Sequence, residues 1–296
     1  MMSARFLTVV LERAFNMRDG FGREIDYMRI SVIDSCNLNC YYCNPCDNNE
    51  HCHALNILSV KEVLCIVRAA TRLGIKHFRL TGGEPLLHPQ LDEMVLQIKK
   101  IPGVSSVSLT TNAVLLAQHA KWLKEAGIDS INVSLDTIDA SEYERITKKP
   151  LLEEVKHGIN AAIECGIRVK INVVLTPQTD VVALTRYVAK KGTDIRFIEM
   201  MPVGEGHTNG VEPYKKVIGT LSKLYGEPCR INTEKTKEIN SGNDKRKIPD
   251  NGPAEYYIFP ELGIRVGLIQ AIHGKFCATC NRIRVTADGR LMPCLG

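Results

Sequence analysis

Between residues 28 and 201, short runs rich in β-branched residues alternate with longer segments whose apolar positions recur every three or four residues. The short runs, 28–34, 77–81, 105–111, 130–136, 168–175 and 195–201, predict strands; the longer ones, 59–73, 89–100, 115–126, 152–165 and 181–191, predict amphipathic helices. Gly74, Gly127 and Gly166 each stand just after a predicted helix, where a left-handed cap is expected. Repeated strand–helix units build a parallel sheet with right-handed crossovers. Periodicity leaves two architectures open, a doubly wound open sheet and an incomplete barrel. In both, chemistry gathers at the C-terminal ends of the strands. Cys36 follows the first run, Gly82 and Gly83 the second, and Asn112 the third, so the unusual residues fall on one rim.

After Pro202 the alternation stops. Residues 203–213 are rich in glycine and polar side chains, 233–253 form a charged segment with Gly and Pro, and two further strands are expected at 255–259 and 265–268. The apolar run 6–11 is bounded by Arg5, Glu12 and Arg13, which predicts a short amphipathic helix and is too brief for a membrane span or an export signal. The expected organisation is an N-terminal segment over 1–27, a barrel over 28–202 and a C-terminal extension over 203–296.

A chain of 296 residues, 44% of them hydrophobic, has enough apolar material for one barrel-sized core and an appendage. The net charge of +5 is spread among 33 acidic residues, a pattern that favours a small anionic ligand over nucleic acid. Eleven cysteines without an export signal read as free thiols in a cytoplasmic protein rather than as disulfides.

Two cysteine groups have the spacing of metal ligands. Cys36-x3-Cys40-x2-Cys43 lies in a loop after the first strand, and three thiolates on a [4Fe–4S] cube leave one iron open. Zinc remains an alternative, with a fourth ligand from Cys46, His51, Cys52 or His53. Cys277-x2-Cys280-x13-Cys294 repeats the three-thiol pattern, with a zinc knuckle as its alternative. Cys65 and Cys165 sit in helical apolar patterns and are expected to pack as small hydrophobes. The basic run Lys245-Arg246-Lys247 is expected to be a solvated loop.

The cysteine loop Ser35-Cys36-Asn37-Leu38-Asn39-Cys40-Tyr41-Tyr42-Cys43 resembles the signature of radical S-adenosylmethionine (SAM) enzymes, with an aromatic residue just before the third cysteine. Thr81-Gly82-Gly83-Glu84-Pro85 resembles that superfamily's SAM-binding glycine motif. The segment from Cys277-Ala278-Thr279-Cys280-Asn281-Arg282-Ile283-Arg284 to Cys294 is similar to the C-terminal cluster motif of the GTP 3′,8-cyclase family of molybdenum cofactor biosynthesis. The likeness also takes in Phe21-Gly22-Arg23, Leu109-Thr110-Thr111-Asn112, Asn132-Val133-Ser134-Leu135-Asp136 and Arg196-Phe197-Ile198-Glu199.

This resemblance implies an α/β fold, an incomplete TIM-type barrel of about six βα units with a C-terminal iron–sulfur-binding extension. It implies two [4Fe–4S] clusters, on Cys36, Cys40 and Cys43 and on Cys277, Cys280 and Cys294, with SAM on the open iron of the first. Tyr42, Gly82, Gly83, Glu84, Ser134 and Met201 correspond to SAM-binding positions; Arg29, Arg79, Thr110, Lys170, Arg282 and Arg284 correspond to GTP-binding positions, with Arg282 and Arg284 also expected to be catalytic. The glycines are expected to let backbone approach the cofactor closely. The implied reaction is abstraction of the ribose C3′ hydrogen of GTP by a 5′-deoxyadenosyl radical, followed by attack of the carbon radical on guanine C8. A one-electron reductant is the implied partner, no nucleic acid or membrane is expected, and a homodimer stays open. The alternative functions are a two-cluster radical SAM enzyme acting on another purine nucleotide or a natural-product precursor, and a peptide-modifying maturase. The chain departs from the family pattern at Ser35, where Arg is usual, at His77, where Lys is common, and at Ala113, where Gly is normal. The resemblance also implies a tail beyond Cys294 that ends in Gly-Gly.

Overall fold

The computed structural model describes residues 17–43, 56–202, 211–231 and 252–294. The predicted N-terminal helix, the basic run at 245–247, and Cys46, His51, Cys52 and His53 lie outside them.

Six strands and the helices between them follow the predicted alternation: β1 (Tyr27–Ser31), α1 (Val60–Arg72), β2 (His77–Thr81), α2 (Leu91–Lys99), β3 (Ser106–Thr111), α3 (Leu116–Glu125), β4 (Ser130–Ser134), α4 (Ala140–Thr147), α5 (Leu152–Glu164), β5 (Val169–Val174), α6 (Val181–Lys190) and β6 (Asp194–Ile198). The chain continues through α7 (Gly219–Tyr225), β7 (Cys229–Ile231), β8 (Glu255–Ile258), β9 (Arg265–Ile269), β10 (Arg282–Val285) and β11 (Leu291–Met292). Local chemistry marks the boundaries. Ser59 caps α1 in a capping box with Glu62, an arrangement whose loss costs about 1 kcal/mol. Gly74, Gly127 and Gly166 take φ of +91°, +90° and +68°, as left-handed caps require.

Two helices are absent from the sequence expectation: α7, with seven residues, and α4. Helix α4 has eight residues, too few for periodicity to show, and is announced only by Asp139, whose carboxylate accepts from Glu142 N at 2.8 Å.

All strands join one sheet in the order β11-β10-β1-β2-β3-β4-β5-β6-β9-β8-β7. The eight from β10 to β9 are parallel; β11 pairs antiparallel to β10 at one end, and at the other β8 pairs antiparallel to β9 and β7 antiparallel to β8. The order is linear, so the barrel is open among the described residues. The C-terminal segment therefore does more than append a cysteine site. It supplies β9 beside β6 and β10 beside β1, widening a six-strand partial barrel to eight parallel strands.

Alternation along the strands decides where the core lies. In β2, Phe78 and Leu80 are fully buried on the helix-facing side, whereas His77, Arg79 and Thr81 face the lumen. Each buried apolar side chain contributes about 1.5–3 kcal/mol, and Val63, Val67 and Ala70 of α1 add theirs at helical spacing. Closed TIM barrels fill the lumen with branched apolar residues. Here the lumen is polar, and a cavity of about 530 Å³ occupies it.

Candidate active site

The registers place the lumen residues in rows. Arg284 stands opposite Arg29, Arg29 opposite Arg79, Arg79 opposite Ser108, and Ser108 opposite Ser130. A second row runs Thr110, Asn132, Lys170. Arg29, Arg79, Thr110, Lys170 and Arg282 all line the cavity, which brings together five of the six expected substrate residues; Arg284 stands beside it in the first row. Like charges side by side on neighbouring strands repel. Burial, ahead of the Arg284 and Arg79 charges, pushes Arg29 down to about 9, and its Nε is buried without a hydrogen-bond partner. Arg282 and Arg284 are likewise held below the usual arginine range, chiefly by burial. Such a set favours an anion that can accept several charge-assisted hydrogen bonds, and guanidinium forks match phosphate oxygens.

Tyr27 was not singled out from the sequence, yet it organises this wall. Arg79 and Arg282 lie over its ring, 5.9 and 6.0 Å from the centroid, and Arg79 Nε donates to its hydroxyl. Burial alone would raise the Tyr27 hydroxyl; the Arg79 charge and hydrogen bond outweigh it and lower it. Asn172 and Arg196 also line the cavity, joined by Arg196 Nε donating to Asn172 Oδ1 at 3.0 Å. The lumen parity of β5 and β6 was the available signal for both.

Cys36, Gly82, Gly83 and Asn112 meet at the C-terminal rim, as expected, with Asn112 Nδ2 donating to Asn37 Oδ1 at 2.7 Å, and the second cysteine trio lies at the opposite end of the parallel strands. Cys36, Cys40 and Cys43 follow β1 at its C-terminal end; Cys277 and Cys280 precede β10, and Cys294 follows β11, which returns antiparallel to the same end. Both x2 pairs are closed by the same turn: Cys43 N donates to Cys40 O at 3.0 Å and Cys280 N to Cys277 O at 3.2 Å. In the first trio burial, then Asp136 and the neighbouring thiols, push Cys40 up to about 12, and burial raises Cys36 and Cys43 as well. Thiols that resist ionising alone are stabilised as thiolates by a cationic polynuclear group, so the donor set fits an iron–sulfur cluster. The second trio sits among cations: Cys277 and Cys280 act on Arg23, Cys280 on Arg282 and Arg284, and Cys294 on Arg284. Among the described residues, no three His, Cys, Asp or Glu side chains are gathered as a single metal ion needs.

The glycine motif braces the first trio. Gly83 N donates to Ile33 O and Glu84 N to Ser35 O, both at 2.8 Å. A Cβ on Gly82 would stand 2.3 Å from Ile33 O, and one on Gly83 2.1 Å from Ser35 O. The close approach expected toward a cofactor is thus an approach to the cysteine loop itself. The Glu84 carboxylate is occupied by Leu86 N, Thr111 Oγ1 and Asn112 N, which leaves it a bracing role. Tyr42 donates to Asp136, which also accepts from Val174 N at 2.7 Å; burial raises Asp136 to about 6. Ser134 is exposed at the end of β4, Met201 is half-buried beyond β6, and Met200 is buried. Cys165 is half-buried and packs against the core, as expected of a small hydrophobe, whereas Cys65 is exposed and does not. Cys65 sits on the outward face of α1, away from Val63, Val67 and Ala70.

Residues 30–184 match the Radical SAM superfamily, and residues 193–296 match the family described as Molybdenum Cofactor Synthesis C. Curated relatives named GTP 3′,8-cyclase align over 94% of the chain: 37% identity over 282 residues to that of Clostridium perfringens (strain SM101 / Type A), covering 83% of it, and 38% over 286 residues to that of Pelotomaculum thermopropionicum, covering 84%. The chain belongs to the GTP 3′,8-cyclase family of radical SAM proteins. Among solved structures, Streptococcus suis SuiB bound to S-adenosylmethionine superposes with a TM-score of 0.64 at 14% identity, over 92% of this chain and 60% of SuiB. At that identity the likeness is one of fold. No helix among the described residues is long and apolar enough to cross a membrane.

Proposed function

We propose that the chain is a GTP 3′,8-cyclase, which joins ribose C3′ of GTP to guanine C8 in the first step of molybdenum cofactor biosynthesis. The observation that carries this reading is the row Arg284, Arg29, Arg79 inside a lumen with a cysteine trio at each end. When bound, a cluster on Cys36, Cys40 and Cys43 with SAM supplies the means of removing the ribose hydrogen, and a cluster on Cys277, Cys280 and Cys294 supplies an open iron for the guanine edge.

The protein's own contribution is placement and charge. Arg29 and Arg79, with the Thr110 hydroxyl and the Lys170 ammonium, take the phosphates by charge-assisted hydrogen bonds, offsetting their mutual repulsion. Arg282 and Arg284, next to the second trio, hold the nucleoside end and serve as the catalytic arginines. Tyr42, Gly82, Gly83, Glu84, Ser134 and Met201 form the SAM side, with Tyr42 fixed by Asp136 and the glycine motif bracing the cysteine loop. Fixed orientation in the lumen makes the C3′–C8 approach effectively unimolecular. The reading requires a one-electron reductant and a reducing compartment, the cytoplasm, where thiols stay available to iron.

Anaerobic reconstitution followed by incubation with GTP, ATP or ITP tests it. The expected result is about eight irons per chain, with 5′-deoxyadenosine and a cyclised nucleotide formed in step from GTP. Deoxyadenosine released equally with and without GTP, with no cyclised product, overturns it.

A further inference from the structure

The arginine row does not stop at Ser130. Ile131 pairs with Val169, and Ile131 N donates to Arg168 O at 2.9 Å, so the residue beside Ser130 is Arg168, at the entry to β5. Arg168 shares its parity with Lys170 and lines the same cavity. Its Nη2 is buried with no hydrogen-bond partner. A carboxylate lines the cavity nearby, that of Asp129, but it already accepts from Lys99 Nζ at 2.9 and 3.1 Å and from Val107 N at 2.7 Å. A desolvated guanidinium nitrogen left without an acceptor is costly, and what offsets the cost here is a ligand oxygen.

Position in the row indicates which oxygen. Arg284 and Arg29 begin the row beside the second cysteine trio, and Arg168 ends it on the opposite wall, with the Ser108 and Ser130 hydroxyls between. A nucleotide whose base lies toward β10 runs its phosphate chain along this row, and only its last phosphate reaches β5. We propose that Arg168 is a specificity-determining substrate residue that binds the terminal phosphate, so that the lumen selects nucleoside triphosphates over di- and monophosphates. This rests on the nucleotide reading given above, and adds a residue and a selectivity to it.

Equilibrium binding of GTP, GDP, GMP and inorganic tripolyphosphate to the anaerobically reconstituted protein tests it, in the wild type, Arg168→Gln and Arg168→Lys. Arg168→Gln is expected to weaken GTP and tripolyphosphate about tenfold or more, to leave GMP unchanged, and to bring GTP and GDP close together; Arg168→Lys is expected to restore part of the loss. Iron content equal to wild type, with thermal stability no lower than wild type, shows that the lumen is intact. Unchanged GTP binding, or equal losses for GTP, GDP and GMP in a protein with full iron content, overturns the assignment. A wild type that binds tripolyphosphate in an Arg168-dependent way but not GTP would sink the GTP reading and leave the phosphate subsite standing.

Discussion

Replacing Arg29 with methionine should make the anion-free protein more stable while removing its response to nucleotide. Arg29 sits between Arg79 and Arg284 on adjacent strands, and its Nε is buried without a partner. An unmade buried hydrogen bond costs about 1–3 kcal/mol, and each like-charged cross-strand neighbour adds a few tenths to about 1 kcal/mol. The side chain borders a cavity that admits water, which screens part of this, so a net relief of about 2 kcal/mol is expected for Arg29→Met. For a chain of this size that corresponds to a rise in Tm of roughly 4–8 °C. The assay is anaerobic thermal unfolding in phosphate-free buffer, with and without GTP or tripolyphosphate. Wild type should gain about 2.7 kcal/mol at a hundred times Kd, and the variant much less. A variant that melts below wild type without anion would show that Arg29 is already satisfied within the protein, and the argument for an anion-seeking row would fail.

Gly83→Ala forces a Cβ against Ser35 O, so the first cysteine loop should shift and iron content should fall from about eight to about four per chain, read by iron analysis. Ala113 has φ of +65°, which explains why glycine is normal there; Ala113→Gly should raise stability by about 1 kcal/mol, measured by thermal or denaturant unfolding. Burial lowers the His77 imidazole, and a bound polyanion must raise it again, so the complex takes up a proton and affinity should strengthen as pH falls toward 6 and below; His77→Lys should bind tightly with a flatter pH profile, by titration of tripolyphosphate into both proteins. Glu199→Ala should free residues 272–273, whose backbone N–H groups donate to the Glu199 carboxylate at 2.7 and 3.1 Å, and should lower iron retention at Cys277 and Cys280; Glu199→Gln, which keeps an acceptor, should restore part of it.

The six strands and five of the helices were legible because each carries a strong period and an N- or C-terminal marker, as Ser59 and Gly74 do for α1. The helix α4 was not, since only Tyr143, Ile146 and Thr147 are buried in its eight residues. The cysteine ligand candidates could be read from spacing, but their placement at opposite ends of the barrel could not, because nothing local says that Arg282–Val285 pairs with β1. Its Arg-Ile-Arg-Val alternation is a strand pattern overshadowed by the cysteines before it. Tyr27 and Arg168 look like ordinary strand-end residues, and Arg196 like an ordinary mid-strand charge, until register sets them in the same lumen as the other arginines.

That register also fixes how the two halves of the site face each other. Tyr27 of β1 pairs with Arg282 of β10, just after Cys280, and β1 then runs five residues to Ser31 before the chain enters the loop of Cys36. At ~3.3 Å per residue the strand spans roughly 17 Å, the scale of a nucleotide laid between two ligand-bearing loops. The junction is clamped outside the sheet as well: Asn281 Nδ2 donates to Asp26 Oδ1 at 2.6 Å, and Arg23 Nη1, held by Asp19, donates to Cys277 O at 2.7 Å. A slip of one residue between β1 and β10 would turn Arg282 and Arg284 out of the lumen and Ile283 into it. The polar clamp at 19–26 guards against that slip, so these residues, none of which lines the cavity, belong to the machinery that sets the distance between the two trios.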